Sequence, residues 1–180
     1  MHKIIFEGTS YQTYGELPTI GSRAPDFSLV NTKLQDVSLA NFMGKRKVLN
    51  IFPSIDTPVC AQSVIVFNRF AKDHEDVAML MVSYDLPFAH RRFHEANSLE
   101  HVVGLSAIRH AGFGENYAVQ IMEGPLAGMF SRAVIVMDEN NTIVYREQIA
   151  DIGQEPDYVA AYQALGIEVN TQILQIIESD

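Results

Sequence analysis

The chain contains a single cysteine, Cys60, and no tryptophan among its 180 residues. A disulfide within the chain is therefore impossible, and a lone thiol is more typical of a reducing compartment than of a secreted protein. Basic residues are scarce too, because 13 lysines and arginines are outnumbered by 22 acidic residues, for a formal net charge of −9. Nucleic-acid-binding surfaces need clustered positive charge, and the longest basic run is only Lys45-Arg46-Lys47, which we expect to be a solvated loop. We therefore expect no nucleic-acid partner.

Long apolar runs are missing as well. No stretch approaches the length of a transmembrane helix, and the N-terminal sequence meets charge and glycine before a signal-type core could form. These absences predict a cytoplasmic protein with no membrane partner. The chain is nevertheless 47% hydrophobic, enough over 180 residues for a sizeable core that needs neither a disulfide nor a metal ion. We expect no cofactor and no bound metal.

The sequence around Cys60 distinguishes it from an ordinary buried thiol. The cysteine ends the segment Phe52-Pro53-Ser54-Ile55-Asp56-Thr57-Pro58-Val59-Cys60, which follows an apolar run typical of a buried strand. Thr57 is a good helix N-cap and Pro58 suits the first helical position, so Cys60 is predicted to lie in the first turn of a helix. Free backbone N–H groups and the positive end of the helix dipole stabilise a thiolate there. Cys60 is therefore a candidate nucleophile.

The same residues carry a resemblance to a known family. Pro53, Thr57 and Cys60 match the P-x-x-x-T-x-x-C motif of peroxiredoxins, in which peroxide oxidises the cysteine. The longer string over residues 52–61 resembles the bacterial thiol peroxidase subfamily, an atypical two-cysteine group. Further segments that resemble this subfamily lie at residues 24–27, 85–89, 91–93 and 124–128. The resemblance extends from the N-terminal strands to about Leu165.

This resemblance implies a thioredoxin-like α/β fold of the peroxiredoxin type, with an N-terminal β-hairpin and a central mixed sheet flanked by helices. It also implies an antioxidant thiol peroxidase, whose Cys60 thiolate attacks hydrogen peroxide or an organic hydroperoxide and becomes a sulfenic acid. In this family an arginine on a late strand completes the site, and Arg132 occupies the matching position. Arg132 would stabilise the thiolate and the leaving oxygen, Thr57 would orient the peroxide, and Pro53 would keep water from the sulfur. A homodimer is likewise implied.

One position departs from the family pattern. Typical thiol peroxidases have a resolving cysteine where this chain has His94, in Arg91-Arg92-Phe93-His94. Imidazole cannot form a disulfide, so the Cys60 sulfenic acid must react with a thiol from outside the chain. Thioredoxin, a glutaredoxin and glutathione are the candidate reductants, and the sequence does not choose among them.

Several alternatives remain open from the sequence. The histidine at position 94 motivates a peroxide sensor or regulatory protein with slow turnover. A structural homologue would have an inert Cys60, and an acyl hydrolase would need a histidine base beside Cys60. Separately, Arg132 could form an ordinary salt bridge at the end of its strand. His90 and His94 are four residues apart on a predicted helix and could bind a metal ion, although no third ligand has convincing spacing.

Hydrophobic periodicity and turn residues predict strands that alternate with helices, followed by a hairpin and a helix. The predicted strands are residues 3–6, 11–14, 27–30, 48–52, 77–83, 102–105, 133–137 and 142–146. The predicted helices begin after Thr57 and after Leu86 and cover residues 156–165, with a short helix among loops at 112–128. We assign residues 1–166 to one thioredoxin-like peroxiredoxin domain. Residues 167–180 are assigned to a short helical C-terminal extension that packs on the domain or on a dimer partner.

Overall fold

A computed structural model describes residues 1–178 of the chain. Its strands are β1 (Lys3–Phe6), β2 (Thr9–Gln12), β3 (Leu29–Asn31), β4 (Asp36–Val37), β5 (Arg46–Ile51), β6 (Val77–Ser83), β7 (Val102–Ser106), β8 (Ala133–Met137) and β9 (Ile143–Gln148). Its helices are α1 (Pro58–Ala71), α2 (Pro87–Ala96), α3 (Phe113–Asn116), α4 (Tyr158–Ala164) and α5 (Thr171–Glu178), and a 3₁₀ turn spans Leu39–Phe42. The expected α/β architecture, an N-terminal hairpin and a mixed sheet with helices, is confirmed.

The seven-stranded sheet has the order β4-β3-β7-β6-β5-β8-β9, and β1 and β2 form a separate hairpin. Strand β6 lies at the centre and every one of its residues is buried, as its continuous apolar sequence predicts. Successive residues of the central strands alternate between two apolar clusters, so that Leu80 belongs to one and Met79 to the other. The first cluster includes Phe113 of α3, and the second includes residues of α1, α4 and α5. Both faces of the sheet are therefore covered.

The register of the central strands places three chain segments at one edge of the sheet. Strands β5 and β6 are parallel, with Ile51 opposite Val82, so both end at this edge. Strand β8 is antiparallel to β5, with Ala133 opposite Ile51, so β8 begins there. The loop before α1, the residues after β6 and Arg132 before β8 consequently converge.

Several local predictions are wrong. Strand β3 begins at Leu29, two residues after its predicted start, and β5 begins two residues before its predicted start. The second strand of the N-terminal hairpin begins at Thr9, two residues before the predicted start, because Phe6 pairs with Thr9 and only Glu7 and Gly8 form the turn. Both turn residues have positive φ values, 50° and 75°, as tight two-residue hairpin turns require. The basic run at residues 45–47 is not a solvated loop, since β5 begins at Arg46 and the Lys47 side chain is fully buried.

Helix α5 covers most of the predicted C-terminal extension, of which residues 179 and 180 lie outside the described part of the chain. The Asn170 side chain accepts a hydrogen bond from the Ile173 N–H group at 3.1 Å, which caps the helix. Ile173 is buried in the apolar cluster that α1 also lines. The extension therefore packs on its own domain through this residue. Across residues 1–178, no helix has the length and apolarity needed to cross a membrane.

Candidate active site

Cys60 lies in the first turn of α1 and is completely buried. Thr57 precedes the helix with extended backbone geometry, and Pro58 is the first helical residue, as the sequence predicts. The Thr57 hydroxyl does not cap the helix, however. It donates a hydrogen bond to the Ser54 carbonyl at 3.1 Å instead, so that the side chain braces the loop before the helix.

Arg132 contacts the cysteine directly. Its Nη2 atom lies 3.4 Å from Cys60 Sγ, and Nε and Nη2 donate to the Ile152 carbonyl at 3.0 and 2.9 Å. The position of that carbonyl depends on the N-terminal hairpin, because the Ile152 N–H group donates to the Ile5 carbonyl at 3.0 Å. Strand β1 thus fixes the group that orients the guanidinium.

The guanidinium of Arg132 is a buried cation without a carboxylate partner. Arg132 is only 2% exposed, and within residues 1–178 it forms no ion pair. Its Nη1 atom is also buried and has no hydrogen-bond partner in that part of the chain. The strand-end salt bridge considered from the sequence is therefore absent from the described residues. A buried charge is costly unless an opposite charge or hydrogen bonds compensate it, and a thiolate at Cys60 would supply that charge.

A cavity of about 440 Å³ opens beside this pair. Pro53, Thr57 and Arg132 line it together with apolar side chains that include Phe6, Leu126, Met129 and Ile152. Cys60 is not one of the lining residues, but its Sγ atom lies 3.4 Å from Nη2 of Arg132, which is. Three of the four predicted site residues therefore line one apolar cavity, and the fourth contacts one of them.

Sequence reasoning missed a carboxylate that binds the cysteine loop. Asp85 follows β6 and accepts hydrogen bonds from the Ser54 hydroxyl at 2.8 Å, the Ile55 N–H group at 2.7 Å and the Ser83 hydroxyl at 2.6 Å. The contact could in principle be predicted, because Asp85 follows β6 and Ser54 follows β5, and these two strands are parallel neighbours. That inference requires knowing that β5 and β6 are neighbours, which their sequences do not reveal.

His90 and His94 share one face of α2. His90 is fully buried, and its Nε2 atom lies 2.9 Å from Ser83 Oγ. Burial lowers the pKa of His90 to about 4 and also lowers the pKa of His94. A Cβ atom added to Gly104 would lie 3.0 Å from His90 Nδ1 and 3.1 Å from His94 Nε2. Neither nitrogen has a hydrogen-bond partner among residues 1–178. No group of three metal-binding side chains occurs in the same residues, so nothing there favours the metal hypothesis.

Comparison with known proteins agrees with this geometry. Residues 19–162 match the Redoxin family model. Thiol peroxidases from Corynebacterium glutamicum and Mycobacterium bovis are each 46% identical, over 165 and 166 residues that cover 92% of this chain and 99% of theirs. The crystal structure of a peroxiredoxin-like protein from Aquifex aeolicus has a TM-score of 0.85 at 31% identity, and covers 91% of this chain and 96% of its own. The fold is thus the thioredoxin-like fold of peroxiredoxins, and the chain belongs to the Redoxin family, among its thiol peroxidases.

Proposed function

We propose that Cys60 is the residue that peroxide oxidises, in a thiol-dependent peroxidase that completes its cycle with an external thiol. The observation that carries the proposal is the buried Arg132 guanidinium, whose Nη2 lies 3.4 Å from Cys60 Sγ while Nη1 has no partner within residues 1–178. One side of the guanidinium is thus placed to stabilise a thiolate. The other is available to a peroxide oxygen in the cavity.

In the first half of the cycle the Cys60 thiolate attacks one oxygen of a hydroperoxide ROOH. The S–O bond forms as the O–O bond breaks, the sulfur is oxidised by two electrons, and the alcohol ROH leaves after taking a proton. With hydrogen peroxide the leaving group is water. Negative charge grows on the leaving oxygen, where the fixed Arg132 cation stabilises it in a site from which water is largely excluded.

Thr57 and Pro53 would assist this step in different ways. The Thr57 hydroxyl donates to the Ser54 carbonyl, so its lone pairs remain available to accept a hydrogen bond from the peroxide O–H group. Pro53 is buried in the cavity wall and has no N–H group that could compete for the thiolate or hold water beside it. The mostly apolar lining suits organic hydroperoxides as well as hydrogen peroxide.

The second half of the cycle needs a thiol that this chain does not contain. One thiol condenses with the Cys60 sulfenic acid and releases water, and a second thiol then reduces the mixed disulfide and restores Cys60. Glutathione, a glutaredoxin and thioredoxin are the candidates. Because turnover requires reduced thiols, we propose the cytoplasm as the site of action. A slow-turnover peroxide sensor is the less favoured alternative, since the curated relatives that cover 92% of this chain are thiol peroxidases.

The family resemblance also supports a homodimer. Leu86 and Phe88, which flank the start of α2, are 52% and 55% exposed, so apolar surface is available near the cysteine loop. Sedimentation velocity would detect the dimer directly, and a purely monomeric protein at micromolar concentration would contradict this part of the proposal.

Intact-mass measurement tests the central proposal. The reduced protein is treated with stoichiometric cumene hydroperoxide or hydrogen peroxide, and glutathione, glutaredoxin with glutathione, or thioredoxin with its reductase is then added separately. We expect rapid gain of one oxygen atom, no gain in Cys60→Ser, and recovery of the reduced mass with at least one reductant. An unoxidised wild-type protein would contradict the peroxidase assignment, and rapid oxidation without recovery would support the sensor.

A further inference from the structure

We propose that Asp85 is a positioning residue for the peroxide reaction, which holds the loop before α1 in the conformation that places Cys60 against Arg132. The inference rests on the proposed function of Cys60 and extends it to a residue outside the P-x-x-x-T-x-x-C motif. Asp85 does not touch the sulfur. It acts through the loop.

The contacts of Asp85 converge on the middle of this loop. One carboxylate oxygen accepts from the Ser54 hydroxyl at 2.8 Å, and the other accepts from the Ile55 N–H group at 2.7 Å. Ile55 is completely buried, so its N–H group would be left without a partner if the carboxylate were removed. Hydrogen bonds to an ionised acceptor are stronger than those between neutral groups, which suits a carboxylate to this task.

Ser54 transmits the anchor toward the cysteine. Its hydroxyl accepts from the Asp56 N–H group at 3.2 Å, and its carbonyl accepts from both the N–H group and the hydroxyl of Thr57, at 3.2 and 3.1 Å. Thr57 is the residue before α1, and Cys60 lies in the first turn. A displacement of Ser54 would therefore move the start of the helix and the sulfur with it.

The anchor is itself held from the other side. The Ser83 hydroxyl donates to Asp85 at 2.6 Å and lies 2.9 Å from Nε2 of the buried His90, so the carboxylate is tied to both β6 and α2. A second link between the loop and α2, the ion pair of Asp56 with Arg92, has side chains that are 60% and 67% exposed. Exposed pairs of this kind contribute little. Asp85 is consequently the link able to fix the loop.

Oxidation by peroxide and alkylation of Cys60 depend on this loop in different ways. The peroxide step needs Cys60 Sγ, Arg132 and the peroxide oxygens in one arrangement, and small misplacements of reacting groups are costly. Alkylation by iodoacetamide needs an accessible thiolate without that arrangement. Since Cys60 is fully buried, a loosened loop should slow oxidation while it leaves alkylation unchanged or makes it faster.

The test variant is Asp85→Ala, and its matched control is Asp138→Ala. Asp138 also accepts two backbone N–H bonds, from Asn140 at 2.9 Å and Thr142 at 2.8 Å, but it lies in the turn between β8 and β9. We expect the second-order rate of Cys60 oxidation to fall about tenfold to a hundredfold in Asp85→Ala, with alkylation unchanged or faster. Asp138→Ala should keep both wild-type rates. Asp85→Asn, whose amide oxygen can still accept from Ile55, should recover part of the oxidation rate.

Stopped-flow oxidation, alkylation followed by intact mass, and thermal unfolding are measured for each variant. An unchanged oxidation rate in folded Asp85→Ala would overturn the inference, and so would an equal fall of both rates, because that would mean a lost thiolate instead of a lost arrangement. If Asp85→Ala does not fold, Ser54→Ala removes one of the three contacts and should still slow oxidation selectively. Failure of wild-type protein to oxidise would refute the proposed function instead, independently of the comparison between variants.

Discussion

The β5–β8 strand pair has a buried cation at each end, and the two are treated differently. Lys47 lies opposite Met137 at one end, whereas Ile51 lies opposite Ala133, the residue after Arg132, at the other. Lys47 is fully buried and Arg132 is 2% exposed. The same pair of strands therefore buries two positive charges, one near the start of β5 and one beside Cys60.

At the Lys47 end the charge is surrounded by backbone acceptors. Nζ donates to the Lys45 carbonyl at 2.7 Å and lies 3.4 and 3.5 Å from the carbonyls of Glu139 and Asp138. Burial lowers the pKa of Lys47, and the nearby charges of Asp138 and Glu139 oppose that shift. We call this the closed end, because carbonyl oxygens on several sides of the ammonium account for its burial.

At the Arg132 end the guanidinium has fewer hydrogen-bond acceptors than donors. The guanidinium has one carbonyl, that of Ile152, and one sulfur atom as acceptors, and its Nη1 atom has none within residues 1–178. We call this the reactive end, after the role proposed for Cys60. Burial of a cation therefore does not by itself mark a candidate site, whereas an unpaired donor beside a cavity and a thiol supports one.

The largest effect on the rate of oxidation should come from removing the Arg132 guanidinium. In Arg132→Met we expect the rate of Cys60 oxidation to fall about tenfold to a thousandfold, because the thiolate and the leaving oxygen both lose their fixed positive charge. Stopped-flow oxidation with hydrogen peroxide measures the rate, and circular dichroism establishes that the variant is folded.

Lys47→Met is the matched control, since it removes the buried cation from the other end of the same strand pair. Its oxidation rate should stay within about twofold of wild type, because an ion far from the reacting atoms contributes little to charge stabilisation there. Equal rate losses in both variants would mean that Arg132 acts through the stability of the sheet, and the contrast between the two ends would fail.

The two cations also mark what the sequence could and could not predict. The proline, threonine and cysteine of the loop, and the strand that Arg132 precedes, follow from local patterns and from the family resemblance. The sequence pattern alone favoured a strand-end salt bridge at Arg132 over a role in the site. The orientation of Arg132 in the structure depends instead on its hydrogen bonds to the Ile152 carbonyl. Residue 152 is in turn hydrogen-bonded to Ile5 of β1, near the other end of the chain. Long-range contacts of this kind leave no local signal.

Lys47 was predicted to be solvated for a related reason. A lysine in a basic run normally lies at the surface, and its burial here depends on carbonyls of the turn between β8 and β9, more than ninety positions along the chain. Asp85 was missed likewise, because its contacts with Ser54 and Ile55 require β5 and β6 to be neighbours. Local sequence predicted most of the elements and proposed Cys60 as a nucleophile, but the residues that contact the site depend on the order of the strands.

A buried histidine beyond the reactive end should make the stability of the protein fall in acid. Burial lowers the pKa of His90 from 6.5 to about 4, the Asp85 carboxylate opposes this shift and His94 adds to it. The unfolded chain therefore binds one more proton than the native protein between these two values, so stability is complete above pH 6.5 and falls as the pH is lowered. For this histidine the loss reaches about 3 kcal/mol by pH 4.

His90→Gln tests this assignment. We expect the variant to lose less free energy of unfolding than wild type between neutral pH and pH 4, as measured by urea denaturation at a series of pH values. His101→Gln, which changes an exposed histidine, should keep the wild-type dependence. An identical acid response in His90→Gln and wild type would show that His90 takes up its proton at the same pH in the native and unfolded states, and the assignment of acid sensitivity to this histidine would be wrong.

The smallest effect should come from the closed end, and on the alkaline side. Because the pKa of Lys47 is lowered in the native protein, the unfolded chain binds more protons there as the pH approaches the ordinary lysine value, so Lys47 adds stability as the pH rises. The difference in free energy of unfolding between wild type and Lys47→Met should therefore grow in favour of wild type from neutral to alkaline pH. Lys33→Met, at an exposed lysine, should show no such trend. A difference that is independent of pH would mean that the backbone carbonyls fully compensate the buried ammonium, and the closed end would then be even more sharply distinguished from Arg132.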